Sequence, residues 1–151
     1  MQATVTAPWK TLYDQGGLVI AYPSKDVHAA GFIKAGIEFT DGEPALGVVA
    51  TDILSDWSLS PIREKQPGNA KVTILIERQG TDAWVYVLEQ DGKKRRQLRQ
   101  VTWAFNEDDT QGLAREISVG IYGAKPTREG PPSDPFTKIP VSFSDFELKL
   151  K

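Results

Sequence analysis

Hydrophobic and polar positions alternate with a period of two along residues 33–39, which is the pattern of a half-buried β-strand. A turn follows at Asp41-Gly42, because glycine accepts a positive φ and aspartate can hydrogen-bond its own backbone. Residues 45–51 then carry almost no polar side chain, which predicts a strand that is covered on both faces. The three pieces together predict a β-hairpin, and the rest of the chain is organised around it.

The same pattern of short strands and turns continues on both sides of the hairpin, with turn signals about every 8–12 residues. Residues 71–105 read as a β-meander, and residues 71–78 are the strongest strand by their content of β-branched side chains. Further strands are predicted at 3–6, 18–22, 57–61, 71–78, 83–89, 97–105, 117–122 and 139–150.

The last strand changes parity within its length. Val141 and Phe143 have one parity, whereas Phe146, Leu148 and Leu150 have the other. A β-bulge near residues 144–145 would bring all five side chains to one face.

About nine to eleven short strands without a convincing helix predict an all-β fold, namely a two-sheet antiparallel β-sandwich or jelly roll. The chain has 151 residues and a mass of 16.7 kDa, which is the size of one domain with its own core. We therefore expect a single β-sandwich domain over residues 1–151.

Composition excludes several kinds of chemistry. The 18 basic and 20 acidic residues leave a net charge of -2, which gives no general attraction to nucleic acid or to an anionic membrane. The absence of cysteine excludes disulfides, thiol nucleophiles and cysteine-based zinc sites. His28 is the only histidine, so no histidine cluster can bind a metal or support a catalytic triad. We expect a cytoplasmic protein with neither nucleic acid nor membrane as its partner, because no signal or spanning segment is present.

An ordered set of motifs resembles the DUF1349 family, which includes the fungal regulation-of-enolase proteins. The motifs lie at 12–18, 33–39, 41–42, 55–58 and 141–146, and the similarity runs from Ala3 to Leu150. The resemblance implies a concanavalin A-like lectin/glucanase sandwich in which one sheet is concave. It also implies strands ahead of Ala3 that this chain lacks, so we expect an open sheet edge through which copies of the chain could associate.

Lys34 and Glu38 point to the same face of the predicted hairpin, and Gly36 between them leaves the backbone open to approach. One interpretation is a solvent-facing ion pair worth about 0–1 kcal/mol. If this face is the concave one, the two side chains become polar ligands for a sugar or a small metabolite.

Aromatic walls for such a site are offered by Trp57, Trp84, Tyr86 and Tyr122. An aromatic ring packs against the C–H groups of a sugar while charged side chains take its hydroxyls. Trp84 and Tyr86 share parity with Leu88, which favours a core position for them. The predicted ligand-binding residues are Lys34, Glu38, Asp56, Trp57 and Tyr122.

Three other sites are weaker interpretations. The acid pairs Asp41/Glu43 and Glu107/Asp109 lie in predicted turns rather than at strand spacing, which disfavours the two-carboxylate chemistry of a glycosidase. Calcium is a weak alternative at Asp52/Asp56 or at residues 107–109, because calcium takes oxygen ligands. The basic run 93–96 with Arg99 is better explained as a solvated hairpin tip than as a nucleic-acid site.

The leading hypothesis is a non-catalytic β-sandwich that binds a carbohydrate-like ligand or a protein partner through its concave face. The alternative, which rests on the resemblance, is an intracellular regulatory or scaffold protein that acts through protein contacts, for example through the proline-rich loop 125–135. The third is a glycoside hydrolase or lyase.

Overall fold

A computed structural model describes residues 1–22, 31–63, 69–89, 92, 94–106, 116–130 and 137–150 of the chain. This part of the chain contains ten β-strands. Among these residues, no helix is long and apolar enough to cross a membrane. The strands are β1 (Gln2–Thr6), β2 (Gln15–Tyr22), β3 (Gly31–Thr40), β4 (Glu43–Thr51), β5 (Ser55–Pro61), β6 (Lys71–Gln79), β7 (Asp82–Leu88), β8 (Arg95–Val101), β9 (Ser118–Ala124) and β10 (Ser142–Glu147).

The strands form two five-stranded sheets. The first sheet has the order β10-β1-β6-β7-β8 and the second has the order β5-β4-β3-β2-β9, and all neighbouring strands are antiparallel. The predicted class, a two-sheet antiparallel β-sandwich, is therefore confirmed. It is consistent with the concanavalin A-like sandwich that the resemblance implies.

The hydrophobic core lies between the sheets, because every second residue of each strand points inward. Leu18, Ile33, Ile37 and Ile74 are fully buried there. Burial of a side chain of this size stabilises the fold by about 1.5–3 kcal/mol relative to exposure. The alternation predicted for residues 33–39 is thus confirmed as the inward face of β3.

The predicted turn between β3 and β4 is also confirmed. Thr40 pairs with Glu43, so the loop consists of two residues, Asp41 and Gly42. Their φ angles are 52° and 82°. Positive φ at both loop positions matches the right-handed twist of the flanking strands, which is why Asp-Gly is favoured here.

One lateral edge of the sandwich is tied by arginines of β8. The Arg99 guanidinium donates to the backbone oxygen of Asp56 on β5 at 3.1 Å and forms an ion pair with its carboxylate. Arg96 donates to the backbone oxygen of Pro61, also on β5, at 3.3 Å. Arg95 pairs with Glu77 at 2.7 Å. The basic residues 95, 96 and 99 thus make contacts within the protein, whereas Lys93 lies outside the described residues.

The bulge in β10 exists, since Gln2 pairs with Glu147 but Thr4 with Ser144. The register then places Phe143 and Phe146 on the same face, as expected, although Phe146, Leu148 and Leu150 remain largely exposed at this edge of the sandwich.

The core position expected for Trp84 and Tyr86 is wrong. Trp84 and Tyr86 do share a face of β7, but it is the outer face of the first sheet. There the two rings stack with centroids 6.5 Å apart.

Candidate functional site on the outer face of the second sheet

The outer face of the second sheet points away from the core. A row of glycines crosses its three central strands. Register places Gly17, Gly36 and Gly47 side by side, with Tyr122 and Leu59 at the two ends of the row. At Gly36, an added Cβ would lie only 1.9 Å from the backbone oxygen of Gly16. β2 and β3 therefore approach too closely here for any other residue, and the row forms a low floor.

Lys34 lies across one part of this floor. Its ammonium group donates a hydrogen bond to Oε1 of Gln15, the residue that pairs with Glu38 on β2. The same ammonium is 5.8 Å from the centroid of the Tyr122 ring, within the range of a cation–π contact. Lys34 and Glu38 share the face, as predicted, but they do not form the ion pair that one interpretation proposed.

Glu38 occupies the other part of the floor. Glu38 is only 8% exposed as a whole residue. The Oε2 atom of Glu38 lies 3.0 Å from the position that a Cβ on Gly47 would occupy. No group among the residues that the structure describes donates a hydrogen bond to this carboxylate. The Glu38 carboxylate therefore keeps its acceptor capacity for a donor that enters the face.

Tyr122 stands at the β9 end of the row and is half-buried. Desolvation raises the pKa of its phenol above the ordinary value, and the negative charge of Glu38 raises this pKa further. The phenol therefore stays protonated at neutral pH and can donate a hydrogen bond.

Trp57 and Tyr13 form an aromatic pair over the face. Trp57 lies on β5 and Tyr13 immediately before β2, and their ring centroids are 6.5 Å apart with a 72° angle between the planes. Strands β2 and β5 are separated by two other strands, which in a flat sheet means about 14 Å at roughly 4.8 Å per interval. The rings therefore lean toward each other across the face.

Four of the five predicted ligand-binding residues, Lys34, Glu38, Trp57 and Tyr122, thus share one face. Asp56 does not, because it has the opposite parity on β5, pairs with Ala50 and binds Arg99 at the edge of the sandwich. Its proposed contact with ligand stays a prediction without support from this geometry.

The other residues singled out in the sequence lie at the rim of this face, away from it or outside the described residues. Asp41 lies in the β3–β4 turn and Glu43 is the first residue of β4, and both are exposed. His28 and residues 107–109 are outside the described ranges. Within those ranges, no group of three or more histidine, aspartate or glutamate side chains is placed to hold a metal ion.

Sequence reasoning missed Gln15 and Tyr13. Gln15 has the parity of Gly17 and was identifiable as an outward polar residue, but its contact with Lys34 depends on strand order. Tyr13 has a φ of 65°. This left-handed conformation is uncommon for a bulky side chain, so nothing in the residue type signalled it.

Comparisons with known proteins agree with this fold. The family described as "Protein of unknown function (DUF1349)" matches residues 1–150. The "Uncharacterized protein AN7484" of Emericella nidulans is 36% identical over 126 residues, which are 83% of this chain and 58% of that protein. "Regulation of enolase protein 1" of Saccharomyces cerevisiae is 29% identical over 149 residues, which are 97% of this chain and 62% of that protein.

A solved structure, described as that of a functionally unknown protein from Saccharomyces cerevisiae, superposes with a TM-score of 0.63 at 24% identity. The match covers 95% of this chain and 64% of the solved one, and it shows the fold alone. The chain spans about three fifths of the length of the curated relatives it matches.

Proposed function

Because this chain belongs to the DUF1349 family, which is described as of unknown function, we propose a function from its geometry. The protein is a non-catalytic β-sandwich that binds a carbohydrate-like ligand on the outer face of the second sheet. Glu38, Lys34, Gln15 and Tyr122 supply the polar contacts, and Trp57 supplies an apolar wall.

The observation that carries this proposal is the Glu38 carboxylate. It belongs to a residue that is only 8% exposed, it lies over the space that Gly47 leaves open, and it accepts no hydrogen bond from the described residues. Two neighbouring hydroxyls of a sugar would give this carboxylate the donors that the protein does not supply. A charge-assisted hydrogen bond of this kind contributes about 1.5–3 kcal/mol.

The charge balance of the face favours a neutral ligand. The negative charge of Glu38 and the positive charge of Lys34 lie on the same strand of the same face, so the site has no net charge. An anionic ligand would meet Glu38, and a cationic one would meet Lys34. A polyhydroxylated ring can donate to the first and accept from the second while its C–H groups pack against Trp57.

The arrangement of acids supports binding rather than glycoside hydrolysis. Hydrolysis uses two carboxylates about 5–9.5 Å apart across the scissile bond. Among the described residues of this face, Glu38 is accompanied by one other carboxylate, Glu43, which has the parity of Gly47 but is exposed at the first residue of β4, next to the turn. The cytoplasmic location and the hydrolase alternative stay predictions from the sequence.

The proposal is tested by a binding panel of glucose, mannose, galactose, N-acetylglucosamine and a glycan array. At least one saccharide should bind the protein, and Glu38→Gln and Trp57→Ala should each weaken that binding about tenfold. Trp84→Ala is the matched control, because Trp84 lies on the outer face of the other sheet and should leave affinity unchanged. Failure of every saccharide to bind rejects the proposal.

The name of the yeast relative, Regulation of enolase protein 1, suggests a second function, and we propose that it would act through a protein contact. One observation favours a protein contact: Ile53 and Leu54, in the turn between β4 and β5, are 89% and 83% exposed. Two adjacent apolar side chains on a turn tip are available for a partner. If this function holds, the protein changes the activity of purified enolase, and Ile53→Ser/Leu54→Ser abolishes the change. An unaltered enolase rate counts against it.

A further inference from the structure

Tyr13 is held in a conformation that its own side chain disfavours. Its φ of 65° lies in the left-handed region, which glycine or asparagine adopts far more readily than tyrosine. Such a residue persists only where its surroundings fix it, and it points to a functional constraint at that position. The contacts that fix Tyr13 are therefore informative.

Backbone hydrogen bonds attach the turn before β2 to the end of β3. The Tyr13 amide donates to the carbonyl of Phe39 at 2.7 Å, and the Phe39 amide donates to the carbonyl of Asp14 at 2.8 Å. The Asp14 amide donates to the carbonyl of Thr11 at 2.8 Å. On the outer face, the side-chain amide of Gln15 donates to the carbonyl of Tyr13 at 3.2 Å. Tyr13 is thus connected directly to the partner of Lys34.

A buried ion pair fixes the same turn from behind. Asp14 is fully buried, and its Oδ2 accepts from the amides of Lys10 at 3.3 Å and Thr11 at 3.0 Å. Its Oδ1 accepts from Lys125 Nζ at 3.1 Å, and the Lys125 side chain is only 5% exposed. Lys125 also donates to the hydroxyl of Thr11 at 2.5 Å and pairs with Glu129 at 3.0 Å. The segment that follows β9 therefore locks the turn that carries Tyr13.

The locked turn holds an exposed aromatic side chain in a defined place. Tyr13 is 40% exposed and Trp57 is 45% exposed, yet the two rings meet edge to face. Apolar rings this accessible do not serve the core, which lies on the other side of the sheet. The hydrogen bonds to Phe39 and the ion pair behind Asp14 therefore hold this ring beside Trp57.

We propose that Tyr13 and Trp57 form a preassembled aromatic clamp for a saccharide ring, and that Asp14 and Lys125 are its positioning residues. The ligand part rests on the proposed function, whereas the positioning part stands on the geometry of the unliganded protein. The clamp adds Tyr13 to the specificity-determining residues of the face and gives the segment after β9 a role in shaping it.

The positioning part is tested with the indole N–H resonance of Trp57, assigned by its loss in Trp57→Phe. Tyr13→Leu removes the ring current on Trp57 and should shift this resonance. Asp14→Asn and Lys125→Met should shift it toward the Tyr13→Leu position, while Lys125→Arg restores the wild-type position. The indole resonances of Trp9 and Trp103, which pack on or near the core, should not move, which shows that the fold is intact.

Lys125→Met alone leaves a buried charge, so the double variant Asp14→Asn/Lys125→Met, which removes both charges, is the safeguard against unfolding. If the Trp57 resonance keeps its wild-type position in the folded double variant, the positioning part is overturned. If Tyr13→Leu leaves the resonance in place, the clamp itself is overturned.

The ligand part is tested with the saccharide of the panel above that binds the wild-type protein best. Tyr13→Leu should weaken its binding about tenfold, and the folded Asp14→Asn/Lys125→Met variant should do so to a similar extent. Unchanged affinity in Tyr13→Leu overturns the ligand part alone. A panel from which nothing binds overturns the proposed function and the ligand part together, while the Trp57 resonance still decides the positioning part.

Discussion

The carboxylate of Glu38 lies directly over Gly47, with Oε2 3.0 Å from the place where a Cβ on residue 47 would be. The two residues belong to neighbouring strands, β3 and β4, and Glu38 pairs not with Gly47 but with Ala45. The side chain therefore leans along the face to fill the space that glycine leaves. A substitution at residue 47 can therefore move the Glu38 carboxylate while Glu38 itself stays unchanged.

Gly47→Ala should displace the Glu38 side chain and destabilise the protein by about 0.5–1.5 kcal/mol, the cost of forcing a side chain away from its preferred rotamer. Gly120→Ala is the matched control: Gly120 lies on the same face on β9, and a Cβ there meets nothing within 4 Å. Urea unfolding of both variants measures the difference. Equal stability of the two would contradict the placement of Glu38.

Gly36→Ala should be more damaging, because the clash is with backbone rather than with a movable side chain. The new Cβ would lie 1.9 Å from the carbonyl oxygen of Gly16, so β2 and β3 would have to separate. We expect a loss above about 4 kcal/mol, in the range of exceptional substitutions. A variant that retains the wild-type unfolding midpoint would show that the strands do not approach as described.

Lys125→Met should cost about 3–5 kcal/mol, because it leaves the fully buried Asp14 carboxylate without its cation. The control is Lys149→Met, which breaks the exposed pair with Glu147 and should cost about 0–1 kcal/mol. Chemical unfolding at pH 7 compares the two. Similar small losses for both lysines would mean that the Asp14 pair contributes little.

Stability should fall at alkaline pH, and Tyr122 should account for part of the fall. The pKa of Tyr122 is raised in the folded protein, by burial first and by Glu38 second. Above about pH 10, the unfolded chain loses this proton while the folded protein keeps it, so the free energy of unfolding decreases by about 1.4 kcal/mol per pH unit.

The pKa of Lys125 is also raised, because the bonds to Glu129 and Asp14 outweigh desolvation, which lowers it. Its stabilising contribution is complete below its ordinary pKa and is likewise lost as the pH rises through the folded value. Tyr122→Phe should therefore make the alkaline decline shallower without removing it. Urea midpoints between pH 8 and pH 11 test this, and an unchanged slope in Tyr122→Phe would contradict the assignment.

Local features of the fold were predictable because short-range chemistry determines them. The Asp41-Gly42 turn follows from residue type, the alternation in β3 from its period, and the β10 bulge from a change of parity. These signals need no knowledge of distant partners.

What the sequence did not reveal depends on contacts between distant segments. Parity shows that Trp84 and Tyr86 share a face, but which face is the core depends on the packing of the other sheet. The pairing of Asp56 with Arg99 depends on the two edges meeting. By its sequence context alone, Asp14 is an ordinary turn residue. Its partner Lys125 lies 111 positions later in the chain, so only the folded structure shows the pair.

The central claim, that the outer face of the second sheet binds a carbohydrate-like ligand, is tested most directly by titrating ¹⁵N-labelled protein with the saccharide panel. The account predicts saturable shifts at the amides of Lys34, Glu38, Trp57 and Tyr122, with Trp84 unmoved on the other sheet. Shifts confined to the first sheet, or no shift with any saccharide, would contradict it.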